Sequence, residues 1–325
     1  MPLALPSTRE EFQSFRSFYA EELAPFLQRH EELRKSTLYG IVAIVAVAGS
    51  VFLAALVFTH DGMTIRPFLL WGSAILGSGA ATARFTKTRN KITKGLLKRI
   101  TAHLGFDYKR EAKRPDFLED LNRLGLIRRF NIEDWEDSVS GARHGLNFQL
   151  CEAHLKYRSR GKKKSTRTVF HGQFLAIDYP TEFLGETVIK RDVGILNRLS
   201  KPGKKFSNVG LVSAKFEKAF EAWSTDQVEA RELIDPVMLE RFEELDRLFD
   251  GAKFRAAFTG AKLLVAIEVG DALNMGTMFQ KLDNPQRINK ILKEFDLIFD
   301  LIDVAVKRVH GPMSGAFSVD DVKAG

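Results

Sequence analysis

Residues 38–58 read LYGIVAIVAVAGSVFLAALVF, a stretch without one charged side chain. As an α-helix it would extend about 31 Å at 1.5 Å per residue, the thickness of a bilayer's hydrocarbon core. Buried helices of water-soluble proteins are rarely apolar all round for so long, so the stretch predicts a transmembrane span. After the link THDGMTIR come residues 67–83, PFLLWGSAILGSGAATA, also uncharged but shorter and rich in small residues. Alone this second stretch is ambiguous. Beside the first it reads as the return helix, because Gly72, Ser73, Gly77 and Gly79 let a neighbour approach closely and Gly49, Ser50 and Ala54 offer a matching surface. A transmembrane hairpin over residues 38–83, with spans 38–58 and 67–83, is the expectation.

Orientation follows from the flanking cations. Arg34 and Lys35 precede the first span, a basic cluster beginning at Arg84 follows the second, and the link holds only Arg66, so both termini are expected in the cytosol. The formal net charge is +8, and between residues 84 and 114 only Asp107 and Glu111 oppose the lysines and arginines, so this segment accounts for the whole excess. With 45% hydrophobic and 28% charged residues, the composition argues against a disordered chain and against a many-span transporter. The opening MPLALPSTREEFQSF has no basic region followed by an apolar core, so no cleavable signal is expected and insertion relies on the first span.

Before the spans, residues 7–34 predict an amphipathic helix. Thr8 and Glu11 form a capping-box pattern, Phe12, Phe15, Tyr19, Leu23 and Phe26 recur at helical spacing, and Pro25 marks a kink. Its apolar face could pack on the cytosolic domain or lie along the lipid interface. After the spans, residues 85–104 predict a basic helix with Ile92, Leu96, Ile100 and Leu104 on one stripe. Its Lys87, Lys91, Lys94 and Lys98 serve first as a topology signal and are candidate contacts to anionic lipid head groups.

From about residue 116 the pattern becomes α+β. A short helix carries Phe117, Leu118, Leu121 and Leu124, and strands are expected over 147–157, 168–179, 188–193 and within 209–223. Between the first two strands RSRGKKKSTR reads as an exposed hairpin tip, with Lys162, Lys163 and Lys164 as a second candidate lipid contact. Helices are expected from Ser224, with Gln227 completing a capping box, and from Asp235–Pro236. Residues 253–258 and 262–268 predict a β-hairpin. A last helix from Asn284–Pro285 carries an unbroken apolar face from Ile288 to Val306, suited to covering the sheet or docking another subunit. Phe170, Phe174, Phe220, Phe242 and Phe258 are the expected core aromatics.

The fold class is therefore α+β: an N-terminal transmembrane α-hairpin followed by a cytosolic domain with a mostly antiparallel sheet and a long C-terminal helix. The expected divisions are an N-terminal amphipathic helix (1–37), the hairpin (38–83), a basic juxtamembrane helix (84–104), the α+β domain (105–310) and a flexible tail (311–325).

No phosphate loop, GxSxG elbow, HExxH helix or dinucleotide fingerprint is present, so the sequence points to no catalytic residue and no cofactor. The lone Cys151 lies in a strand pattern, where a small buried hydrophobe is the commoner use. Glu152 and His154, two apart on a strand, share a face but have no identifiable third ligand, so no metal site is expected. The basic loop lacks the interleaved aromatics or recognition helix that nucleic-acid binding uses, so the anionic membrane surface is its expected partner.

Three stretches resemble a bacterial family catalogued as domain-of-unknown-function family 3137. They are Glu136–Asp137–Ser138–Val139–Ser140–Gly141 followed by a strand, then Phe170–His171–Gly172–Gln173–Phe174, then Phe216, Phe220 and STDQVEARELIDPVMLERF over residues 224–242. In the last, Ser224, Asp226, Glu229, Ala230, Leu233 and Pro236 follow the family pattern, with Asp235 where relatives often place Thr or Ser. The resemblance covers residues 105–270 and implies two N-terminal membrane helices and the fold, but no activity. Ser224, Asp226 and Glu229 read as a helix start, and together with Arg231 as a candidate recognition cluster for a polar partner.

These readings lead to a membrane-anchored cytosolic binding or scaffold protein, more a binder than an enzyme. The alternatives are an enzyme acting on a membrane-proximal substrate and a subunit of a membrane-bound oligomer. The expected location is the bacterial cytoplasmic membrane, multi-pass. The bilayer, with its anionic lipids, and a protein the sequence does not identify are the expected partners; homo-oligomerisation stays open.

Overall fold

The computed structural model describes residues 5–58, 66–160, 164–191, 201–210, 217–248, 253–269 and 278–310. The chain divides into two compact units. One comprises Arg9–His103 with Met275–Ile288; the other comprises Leu104–Asn274, Asn289–Gly325 and the short Leu5–Thr8.

The first unit begins with two single-turn helices, α1 (Glu10–Gln13) and α2 (Phe15–Phe18), then a π-helical turn over Tyr19–Leu23 and α3 (Ala24–Phe58). The N-cap position of α1 is Arg9, with no side-chain cap hydrogen bond, so the Thr8/Glu11 capping box is not formed. Pro25 does not break the helix. The wider turn just ahead of it accommodates a residue that cannot donate its N–H. Phe12, Phe15, Leu23 and Phe26 are buried. α4 (Arg66–His103) runs without interruption through both the uncharged stretch and the basic one. The His103 ring stacks on Phe18 at 4.0 Å between centroids, and the Arg99 guanidinium lies 4.2 Å over the Phe26 ring. Phe15, Phe18 and Phe26 of the N-terminal segment thus pack on α4.

α3 and α4 pack antiparallel along their lengths. The Thr37 and Thr88 hydroxyls meet at 2.9 Å, and a Cβ added to Gly77 would lie 2.5 Å from that of Ala48. The helical run from Glu10 to Phe58 is, among the described residues, the one long and apolar enough to cross a membrane, and only 6% of its most apolar stretch is buried. Val42, Val47, Leu53 and Val57 are between 62% and 72% exposed. A soluble protein's core helix would bury such residues. Phe68, Trp71, Ile75 and Leu76 on α4 are likewise between 65% and 77% exposed. The link residues 59–65 lie outside the described residues.

In the second unit, β1 (Asp107–Lys109), β2 (Ile132–Arg143), β3 (Leu146–Arg158), β4 (Thr166–Asp178), β5 (Thr187–Arg191), β6 (Ser207–Val209), β7 (Phe220–Ser224), β8 (Lys253–Thr259) and β9 (Lys262–Glu268) form one sheet. Its order is β1-β2-β3-β4-β9-β8-β5-β7-β6, and every pairing is antiparallel. The fold class expected for this part is therefore present: α+β, antiparallel, with a long C-terminal helix. Glu136–Gly141 do not precede a strand but lie inside β2, whose register shifts between Trp135 and Ser138. β2 and β3 join through His144 and Gly145, both at positive φ, as a tight two-residue hairpin turn requires. The expected strands over 188–193 and 209–223 run partly through 192–193 and 211–216, which lie outside the described residues, as do Phe216 and the tail.

The register fixes two faces. On one, Cys151, Phe174 and Ala266 fall in one row across β3, β4 and β9, and the short α5 (Leu118–Arg123) with its flanks Phe117 and Leu126 covers them in a single apolar cluster. Cys151 is the buried hydrophobe expected, and burial pushes its thiol up to about 12. On the other face lie Leu150, Leu175 and Val265. There α7 (Pro236–Leu248) brings Phe242 to 5.0 Å from Phe254, and α8 (Pro285–His310) brings Phe299 to 5.6 Å from Phe106, which in turn meets Phe148 at 4.9 Å. All five expected core aromatics are buried. Arg143 fastens α8 to β2 by a two-pronged ion pair with Asp303, at 2.9 and 3.2 Å.

Candidate functional site

The Ser224–Arg231 cluster sits where β7 passes into α6 (Gln227–Leu233). Asp226, not Ser224, is the N-cap: its Oδ1 accepts from Val228 N at 2.9 Å and Glu229 N at 3.0 Å. Ser224 ends the strand, and its hydroxyl accepts from Asp226 N at 3.0 Å and sits 2.9 Å from Thr187 Oγ1. Gln227 is thus the first helical residue, and the capping box expected from Ser224 is replaced by an Asp cap.

Glu229 does not reach back to its own helix start, as a capping-box glutamate would. Its two oxygens accept from Leu184 N at 2.7 Å and Gly185 N at 2.8 Å, clamping the loop between β4 and β5. A side chain at 185 would collide with Asp226, whose Cβ lies 2.7 Å from the position a Gly185 Cβ would take. Both carboxylates are therefore occupied in holding a loop and a helix end. Arg231 stands exposed on the last turn of α6, where the helix dipole favours a cation.

The second candidate is the row Lys87, Lys91, Lys94 and Lys98. All four are exposed, while Ile92, Leu96 and Ile100 on the opposite side of α4 are buried. Spacings of four, three and four residues put the lysines on one stripe. Among the described residues none of the four forms an ion pair, and α4 itself holds no Asp or Glu. In the hairpin tip Lys164 is exposed; Lys162 and Lys163 lie outside the described residues.

Glu152 is buried, and His154 stacks on His171 at 4.2 Å with its Nε2 2.8 Å from Thr168 Oγ1. Among the described residues no group of three or more His, Cys, Asp or Glu is placed to hold a metal ion. A shallow open depression beside α5 is lined by Arg114, Glu119, Asn122 and Arg123, whose charged groups pair locally, Arg123 with Asp120 at 2.7 Å and with Glu186 at 2.5 Å.

The sequence patterns show the lysine row and a helix start but neither the Asp226 cap nor the Glu229 clamp, since nothing local ties residue 229 to residues 184 and 185.

Within this architecture residues 168–305 match the profile of a family described as "Protein of unknown function (DUF3137)". The resemblance read from the sequence stands over that part of the chain. The match takes in most of β4, the Ser224–Phe242 stretch and most of α8, and leaves out Glu136–Gly141. A solved structure, the crystal structure of the mycobacterial trehalose monomycolate transport factor A, TtfA, is similar at 16% identity and a TM-score of 0.35, with 63% of this chain and 93% of that chain covered. Likeness at that level carries no functional argument. No curated protein matches the sequence.

Proposed function

We propose that the protein is a membrane-anchored binding or scaffold protein whose first unit crosses the bilayer as a two-span hairpin and whose second unit works in the bacterial cytosol. The observation that carries this is the register of α3 on α4. With Ala48 against Gly77 and Gly40 against the Arg84 side chain, the uncharged residues 67–83 of α4 lie level with the apolar span of α3. Exposed apolar side chains cover both helices over that length. Tyr39 marks the inner end on α3 and Trp71 lies toward the far end on α4, as Tyr and Trp do at membrane interfaces.

In this reading Arg84 stands at the inner boundary, and Lys87 and Lys91 meet anionic head groups just beyond it. Each such cation near an anionic surface contributes on the order of 1 kcal/mol. The second unit, with one loop clamped by Glu229 and the start of α6 capped by Asp226, is the recognition module.

Topology reporters test the proposal. Fusions after Gly325 and before Phe12 should both report cytosol, and a tag in the link at residues 60–64 should be accessible only from outside. A periplasmic signal from either terminus would overturn the hairpin.

A further inference from the structure

The lysine row is longer than the bilayer can use. α4 is continuous, so at 1.5 Å per residue Lys87, Lys91, Lys94 and Lys98 stand about 5, 10, 15 and 21 Å beyond Arg84. The head-group layer is about 5–8 Å deep on each side, and charges are screened over about 8 Å at physiological salt. Helical side chains lean toward the helix N-terminus, here toward the membrane, by about one 5.4 Å turn at most. Even so, the Lys98 ammonium stays about a Debye length clear of the lipid, and that of Lys94 ends about 2–5 Å beyond the head-group layer.

The row also costs stability. Lys87/Lys91, Lys91/Lys94 and Lys94/Lys98 are like-charge neighbours, each destabilising a helix by about 0.2–0.5 kcal/mol. His103 is the basic residue of the last turn of α4, so the helix C-terminus does not offset this repulsion for the lysines. Among the described residues no ion pair with an acidic side chain offsets them.

Resting on the membrane placement above, we infer that the outer half of this row, Lys94 and Lys98 with Lys91 at its foot, is a docking strip for an acidic helix of a partner protein. The row is straight and rises by four, three and four residues, so a helix laid along α4 meets it with carboxylates at the same spacing. With no exposed apolar side chain in the row, the contact is made by charge, and is therefore fast, weak and salt-sensitive.

The test uses the full chain in nanodiscs of neutral lipid and a fluorescent helical peptide with Glu at positions i, i+4, i+7 and i+11 and Ala elsewhere. The Glu peptide should bind at least 10-fold more tightly than its Gln counterpart and than an isomer with the same glutamates scattered around the helix. Lys94→Glu with Lys98→Glu should weaken binding at least 10-fold, and the milder Lys94→Gln with Lys98→Gln should weaken it by less. Equal binding of the three peptides, or no effect of either outer pair, overturns the inference. So does an oligonucleotide of equal charge binding more tightly than the Glu peptide. If the outer pair proves as necessary as Lys87 and Lys91 for binding to anionic vesicles, the occupant is the bilayer and the inference also fails. A fluorophore on Leu76→Cys separates the two claims. Failure of lipid-borne quenchers to reach it defeats the membrane placement, whereas quenching without peptide discrimination defeats the docking strip alone.

Discussion

Replacing Arg34 by Ala should free the segment that Met275–Ile288 contributes to the first unit. Arg34 is buried, and its Nη1 donates to the Met278 carbonyl at 2.7 Å. Its other nitrogens grip Glu31 at 2.6 and 2.9 Å, and Glu31 Oε2 in turn accepts from Leu282 N at 3.2 Å. The substitution removes the first tether outright and leaves Glu31 unoriented for the second. A hydrogen bond to a charged group is worth about 1.5–3 kcal/mol, which corresponds to opening the segment about 10- to 150-fold more often. Arg287, whose pKa is lowered by burial and then by Arg34, loses a repulsive neighbour, so the lower end of that range is expected. Limited trypsin cleavage at the exposed Lys281 follows the open population when reclosing is faster than cutting. The cleavage rate in detergent-solubilised protein should rise about 10-fold or more in Arg34→Ala and by less in Arg34→Lys. A change under twofold, with other cleavage sites also unchanged, would refute the tether.

Ala46→Asp puts a carboxylate on the exposed face of α3 near the centre of its apolar run and should lower insertion by about 2.5–3.5 kcal/mol, read as loss of protein from the membrane fraction. Asp226→Ala deprives two helix N–H groups of their acceptor and should lower the unfolding free energy by about 1 kcal/mol, seen as an earlier denaturant midpoint with unchanged slope. Glu294 on α8 is almost wholly buried, and that burial raises its carboxyl from 4.5 to about 8. Between those values the folded chain holds a proton that the unfolded chain has released, so stability should fall as pH rises from about 4.5 and level off above about 8. Glu294→Gln should flatten that slope in urea titrations; an unchanged slope would show that another group is responsible.

The elements legible in the sequence were those with strong local periodicity. The 38–58 run, the β8–β9 hairpin and the apolar stripe of the last helix needed nothing beyond their own residues to be recognised. β1 and β6 were not legible, because three-residue strands carry no pattern and exist only by pairing with β2 and β7. The helix cap was assigned to Ser224 because Ser-x-x-Gln fits a capping box. The structure prefers Asp226, since Ser224 is held in the sheet by its pairing with Thr187. Glu229 looked like a dipole-favoured acid, and its grip on Leu184 and Gly185 depends on a contact across the fold that no spacing rule encodes. Cys151 was readable as a buried hydrophobe from its place in a strand pattern, but not which face it takes, because residues 150–153 of β3 are all buried.

The return of Met275–Ile288 into the first unit bears on synthesis. Both apolar stretches leave the ribosome early, yet the carbonyl that Arg34 binds belongs to a residue made much later. At about 5–20 residues per second, roughly 10–40 s separate the emergence of His103 from that of Ile288. Throughout that interval the basic stalk and the buried arginine lack their final neighbours. A ribosome stalled before residue 275 would therefore leave the first unit incompletely packed, with Arg34 and Glu31 lacking the backbone groups they bind.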